Sequence, residues 1–156
     1  MSEPDIRIDE ADPDGAEARH CLEEYYAELA SRFTQGYDVT VAGAPDAADM
    51  RRPRGVFLIA RAASRPVGCV VLKGNGGEVA EIKRLWVSPE ARGFGLGRRL
   101  IDTAEAAARS LSIGVLRLDT NRALHEALQF YRRTGWVEID RFNDDPYPDF
   151  FFEKRL

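Results

Sequence analysis

The stretch Ala80 to Arg99, AEIKRLWVSPEARGFGLGRR, restricts this chain more than any other part of it. An apolar, β-rich run reaches Ser88-Pro89, where a strand must stop because proline has no N–H and restricts the residue before it. A turn with glycines at 93, 95 and 97 follows and opens a helix near Leu96. Glycine tolerates the curl that brings several backbone N–H groups together, and the helix start adds its positive end, so the turn suits phosphate oxygens. Arg92, Arg98 and Arg99 flank it with charge that pairs with phosphate. A further strand, Val115 to Thr120 (VLRLDT), follows the helix. Strand, helix and strand then form a right-handed parallel crossover, which places the turn at the carboxyl end of its strand, where open sheets bind ligands.

The rest of the chain supplies the other layers. Ile6 and Ile8 alternate with charged neighbours as a short strand, and Asp12-Pro13 reads as a helix start. That helix carries the stripe Leu22, Tyr25, Tyr26, Leu29 and Phe33 and stops before Gly36. Gln35 to Gly55 has no clear period and reads as a long loop with at most one helical turn. Val56 to Ala62 and Pro66 to Lys73 form an antiparallel hairpin, and Glu78 to Val87 is the next strand. After the glycine turn, Leu96, Leu100, Ile101, Ala104, Ala108 and Leu111 keep a helical period. Asn121 can start another helix, with Leu124, Ala127, Leu128 and Tyr131 on one stripe and Gly135 as its stop. Trp136 to Phe142 and Asp149 to Leu156 close the chain as strands. The outcome is a mixed α/β (α+β) sheet in a single domain over residues 1–156.

Composition narrows the partners. Lys+Arg 22 against Asp+Glu 26 gives net −4, which disfavours general nucleic-acid binding. The acidic N-terminus, MSEPDIRIDEADPDG, is no signal peptide, and no apolar run reaches the ~20 residues of a membrane span, so a cytoplasmic protein is expected. Cys21 and Cys69 lack metal-ligand spacing and read as buried reduced thiols. His20 and His125 are isolated among helix residues and read as structural.

Two phosphate motifs fail at the turn. No lysine followed by a hydroxyl residue comes after Gly97, as a nucleotide P-loop needs, and the spacing Gly93-x-Gly95-x-Gly97 is not the dinucleotide G-x-G-x-x-G. What remains is Arg92-x-x-Gly95-x-Gly97 directly after a strand and at the start of a helix. Here the chain resembles the GNAT superfamily of N-acetyltransferases, whose coenzyme A pyrophosphate signature is R/Q-x-x-G-x-G/A. The segments EIKRLWVSPEARGFGLGRRL, LDTNRAL, FYRRTGW and the terminal FFEKRL look like family segments in the family order.

The resemblance implies a sheet of about six or seven strands, mostly antiparallel, flanked by about four helices and splayed between 78–87 and 115–120 to admit the cofactor. Acetyl-coenzyme A would lie with its pantetheine along Leu85, Trp86 and Val87 through main-chain hydrogen bonds. Its pyrophosphate would rest on the amides of Gly93, Phe94, Gly95, Leu96, Gly97 and Arg98, beside Arg92, and Asn121 corresponds to a family asparagine that contacts the cofactor arm. Acetyl transfer needs a neutral amine; for an alkylamine of pKa ~10.4, deprotonation at pH 7 costs about 4.6 kcal/mol. Glu81 matches the glutamate many relatives use as base, commonly through water, with Glu78 and Asp119 as alternatives. Tyr131 occupies the family position of the acid that protonates the departing thiolate. A backbone N–H near Val87 would meet the oxyanion, and attack is direct, without a covalent enzyme intermediate.

The acceptor would enter between Tyr25, Tyr26, the 35–55 loop and Asn143 to Asp149. Glu23, Glu24, Glu28, Asp46, Asp49, Asp144, Asp145 and Asp149 there favour a cationic amine. A small-molecule amine or amino acid comes first, a protein N-terminus or lysine second, and a non-catalytic acyl-coenzyme A sensor is the remaining class. The chain would act as a monomer or homodimer.

Overall fold

Alternation is weak in VFLIARA and PVGCVVLK because both faces of these strands are covered. They form β2 (Val56–Ala62) and β3 (Arg65–Lys73), buried over most of their length, in the middle of the sheet. The computed structural model describes residues 5–38 and 46–156. The other strands are β1 (Ile6–Glu10), β4 (Val79–Val87), β5 (Val115–Thr120), β6 (Val137–Ile139) and β7 (Phe150–Arg155). All seven join in one sheet ordered β1-β2-β3-β4-β5-β7-β6, antiparallel except for the parallel pair β4–β5.

Helices cover both faces. On one, α2 (Leu96–Ser110) buries Leu100, Ile101, Ala104 and Ala108 with Val70, Leu72 and Ile82, and α3 (His125–Arg133) adds Leu128 and Tyr131. On the other, α1 (Ala16–Arg32) places Ala18 and Cys21 against Phe57, Ile59, Cys69, Val71 and Trp86. Three α-helices are present among the described residues, with single 3-10 turns at Ala47–Met50 and Pro89–Ala91. Asp46 caps the first of these turns by accepting from the Ala48 N–H at 3.1 Å; residues 39–45 of the long loop lie outside the described residues. No helix among the described residues is long and apolar enough to cross a membrane.

Two helix starts differ from the sequence expectation. Asp12 accepts from Asp14 N–H at 3.0 Å and closes a turn, so α1 begins at Ala16 after Gly15. Asn121 does the same with Ala123 N–H at 2.8 Å, and α3 begins at His125. In both places a short polar side chain satisfies the backbone locally and delays the helix. The strand expected over 136–142 shortens to Val137–Ile139, while Trp136 turns into the core.

Two features of β4 create the site. Its pairing with β5 runs only from Val79↔Val115 to Glu81↔Arg117, so the strands part and the β5-facing edge of Ile82 to Val87 is open. Opposite β3, Cys69 pairs with Trp86 and Val71 with Lys83, two steps against three, which is a bulge. Arg84 sits at its centre with φ 55, and the Cys69 thiol donates to the Arg84 carbonyl at 3.3 Å. The extra residue reverses the alternation. Leu85 and Val87 therefore share the α2 face with Ile82, and Trp86 takes the α1 face. Simple alternation, which groups Leu85 with Glu81 and Lys83, is overturned at this point.

Candidate active site

The glycine turn has the conformation that its sequence demands. Gly93 (φ 88) and Gly95 (φ 73) are left-handed, a region that costs other residues about 1–2 kcal/mol. Gly95 is the N-cap of α2 and supplies no side-chain cap, so first-turn amides of the helix have no side-chain acceptor. These amides border a cavity of about 430 Å³. One wall is Leu85 and Val87 on the open β4 edge together with Arg92, Gly93, Gly95, Leu96, Gly97 and Arg98. The facing wall comes from α1, through Tyr25, Glu28, Leu29 and Arg32, and from α3, through Ala127 and Phe130.

The rim is charged. Arg92 Nε donates to the Val87 carbonyl at 3.1 Å, and its guanidinium pairs with Glu28. Arg32 lies 3.6 Å from the same carboxylate and 2.9 Å from Glu126 on α3. Arg98 faces Asp102 at 3.9 Å. Arg99 points elsewhere, donating to the Ile6 carbonyl at 2.8 Å, and does not line the cavity. Phe94 and Trp86 also stay out of its wall; Trp86 is buried against α1 with His20 edge-on, ring centroids 6.4 Å apart. Asn121 is used for architecture: its Nδ2 donates to the Tyr147 carbonyl at 2.7 Å while its Oδ1 closes the turn before α3.

A second cavity, of about 90 Å³, adjoins the first and shares Tyr25, Leu85, Leu124 and Ala127 with it. It brings Tyr131 together with Asp119, Asp145, Lys83 and Arg84. Tyr131 is 5% exposed, packs on Trp136 and Phe152, and its hydroxyl has no hydrogen-bond partner among the described residues. Burial and then the negative charge of Asp119 hold its pKa well above the usual phenol value, so it is a protonated donor at neutral pH. Tyr25 is raised by burial in the same way, and burial pushes Tyr37 up to about 12. Asp119 accepts from Asn143 Nδ2 at 2.6 Å; Asp145 accepts from the Tyr147 N–H at 3.0 Å, and burial raises its pKa. Arg84 donates to the Tyr26 hydroxyl at 3.0 Å and lies over that ring, so Tyr26 supports the wall while Tyr25 lines it.

A small aromatic recess of about 50 Å³ continues from this cavity, bounded by Phe33, Tyr37 and Tyr147 and again by Asp119 and Asp145. Most other acidic residues of this region are occupied or remote. Asp49 pairs with Arg54, Asp149 with Arg122, and Glu23, Glu24 and Asp144 are exposed outside these walls. Glu81 sits at the last β4–β5 pair, 3.4 Å from Lys83 Nζ and 3.9 Å from Lys73 Nζ, and lines none of the three cavities. Glu78 precedes β4 and uses its carbonyl to receive the Gly114 and Val115 N–H groups. Both cysteines are free and buried, and His125 is exposed at the start of α3. Sequence reasoning placed the 35–55 loop, and with it Tyr37, on the acceptor side but did not single out Arg84, Arg32 and Phe130 as lining residues.

Known proteins share the family and the fold of this chain. Residues 18–136 match the model of the acetyltransferase (GNAT) family. An IAA acetyltransferase of Azospirillum brasilense is 35% identical over 117 residues, covering 71% of this chain and 74% of that protein. An N-acetyltransferase of Schizosaccharomyces pombe is 31% identical over 135 residues, 82% of this chain and 79% of that one. The crystal structure of a GNAT-family acetyltransferase from Staphylococcus aureus superposes with a TM-score of 0.81 at 20% identity, over 97% of this chain and 99% of the other. The chain belongs to the GNAT family of acetyltransferases.

Proposed function

We propose that this protein transfers an acetyl group from acetyl-coenzyme A directly to a primary amine of a small molecule or amino acid. The observation that carries this reading is the open β4 edge, Ile82 to Val87, running between the amide cradle at residues 93–98 and the small cavity that holds Tyr131. A pyrophosphate on the cradle and a pantetheine along Leu85 to Val87 deliver the thioester to the point where the two cavities meet. Tyr131 donates its proton to the departing thiolate, and a backbone N–H near Val87 stabilises the oxyanion. Small walls rather than a long groove favour a small acceptor over a peptide. The test is thiol release from acetyl-coenzyme A across a panel of alkylamines, amino acids and a lysine peptide. Turnover on small amines is expected; turnover on the peptide alone, or cofactor binding without turnover on any amine, contradicts the reading.

The rim gives a signed pair of effects on cofactor binding. Arg92→Ala removes a charge-assisted contact of ~1.5–3 kcal/mol and should weaken coenzyme A binding by about 10- to 150-fold. Glu28→Gln releases Arg92 from its carboxylate and removes a negative charge from the wall, so binding should tighten by about 1.5- to 5-fold, the scale of a partly exposed ion pair. Isothermal titration calorimetry with coenzyme A reads both. Equal weakening by the two variants would contradict the placement of the pyrophosphate beside Arg92.

A further inference from the structure

We propose that Asp119 is the carboxylate that receives the acceptor's ammonium and takes its proton, so that the substrate enters as a cationic primary amine. This rests on the acetyl-transfer reading above and assigns the base within the same site.

Three positions fix the reacting centre: the open β4 edge at Leu85, the Tyr131 hydroxyl and the cavity between them. A base for the amine must reach that space. Two carboxylates line it, Asp119 and Asp145, and Glu81 does not. Asp119 stands on β5, on the far side of the splay from β4, and its place in the sheet is fixed by pairing with Phe151 of β7. Its side chain is oriented by Asn143 Nδ2 at 2.6 Å, while Asp145 belongs to the loop before β7 and is tied to that loop's own Tyr147 N–H. Asp119 also borders both the reaction cavity and the aromatic recess, so an amine reaches it from either.

A second observation points to a ligand here. The Tyr131 side chain lies in the same wall and is 5% exposed, and its hydroxyl has no hydrogen-bond partner among the described residues. The hydroxyl is not sealed off from the cavity, so its proton is available to a molecule that binds there. The aromatic faces of Tyr37 and Tyr147, with ring centroids 4.7 Å apart, offer a cation a π surface beside Asp119, while Lys83 and Arg84 share the reaction cavity with the two carboxylates. Glu81 pairs with Lys73 and Lys83 and lies outside that cavity.

The proton balance closes without another reactant. The ammonium gives one proton to Asp119, and the neutral nitrogen forms its bond to the thioester carbon. As the C–S bond breaks, Tyr131 protonates the thiolate sulfur and recovers a proton from the amide nitrogen being formed. Asp119 then releases its proton to solvent. The net products are the acetamide, coenzyme A thiol and one proton.

The experiment compares Asp119→Asn, Asp119→Glu and Glu81→Gln with the wild type, using acetyl-coenzyme A and the best acceptor of the amine panel between pH 6 and pH 10. Asp119→Asn should lose about 10²–10⁴-fold in kcat/KM for the amine at pH 7, the usual range for general-base catalysis. Its deficit should shrink as pH approaches the pKa of the free amine, because solvent then supplies the neutral form. Asp119→Glu should recover part of the rate, Glu81→Gln should stay within about threefold of wild type, and coenzyme A affinity should be unchanged in all three. Asp119→Asn activity within about threefold of wild type at every pH, or a pH-dependent loss confined to Glu81→Gln, overturns the proposal while leaving acetyl transfer intact. A wild type that acetylates no amine overturns the acetyl-transfer reading, and the role of Asp119 with it. If Asp119→Asn fails to fold, Asn143→Ala, which removes the donor that orients Asp119, should lower kcat with the same pH dependence, and an unchanged profile overturns the proposal.

Discussion

Tyr131→Phe should slow the chemical step by about 10²–10⁴-fold and leave thermal stability and coenzyme A affinity unchanged. The three expectations have separate physical grounds. The Tyr131 hydroxyl forms no hydrogen bond within the described protein, so its removal costs the fold no partner. The ring, which carries the packing on Phe130, Trp136 and Phe152, is retained. Tyr131 lies outside the cavity beside the amide cradle and meets only the thiol end of coenzyme A, so the cradle and the β4 edge hold the cofactor as before. What disappears is a proton donor kept in its protonated form by burial and by Asp119. Single-turnover acetyl transfer, alongside a melting curve and a calorimetric titration, separates these quantities. A stability loss with an unchanged chemical step would return Tyr131 to a purely structural place in the core.

Gly95→Val should abolish useful cofactor affinity, weakening coenzyme A binding by at least about 100-fold, with the rest of the fold intact. No atom lies within 4 Å of the place where a Cβ on Gly95 would stand, so the new side chain meets no clash. The damage comes from the backbone alone. Gly95 has φ 73, and a β-branched residue is a genuine outlier there. The turn must take another conformation, and the amides at the start of α2 then no longer converge on one anion. A circular dichroism melt close to wild type together with lost binding is the expected pair. Retained affinity would mean that the arginines, rather than the amide cradle, hold the phosphates.

The parts of this molecule that were legible in its sequence are those fixed by local chemistry. Ser88-Pro89 ends β4 because a ladder cannot pass proline, and Gly93 and Gly95 mark the left-handed turn because other residues resist it. The parallel crossover follows from a strand, a helix of regular period and a second strand. The bulge was not legible, because it is centred on Arg84, an arginine at positive φ that no turn residue announces. Its consequence is large: Leu85 moves to the α2 face and Trp86 to the α1 core. The delayed start of α3 was hidden as well, since the Asn121 amide satisfies the Tyr147 carbonyl and the turn before α3, two demands that appear only when the closing loop is in place. The meeting of Asp119 with Asp145 and Tyr131 has the same origin. It depends on β7 inserting between β5 and β6, a non-local pairing that no periodicity encodes.

The central claim is that one edge of β4 carries the thioester from the amide cradle to Tyr131 and Asp119. A crystal structure of the protein soaked with coenzyme A tests it most directly. The pyrophosphate oxygens should lie at ~2.7–3.2 Å from amides between Gly93 and Arg98, the pantetheine should pair with the backbone of Leu85 to Val87, and the thiol should enter the cavity lined by Tyr131 and Asp119. Coenzyme A bound away from the cradle, or a thiol directed out of that cavity, would contradict the account.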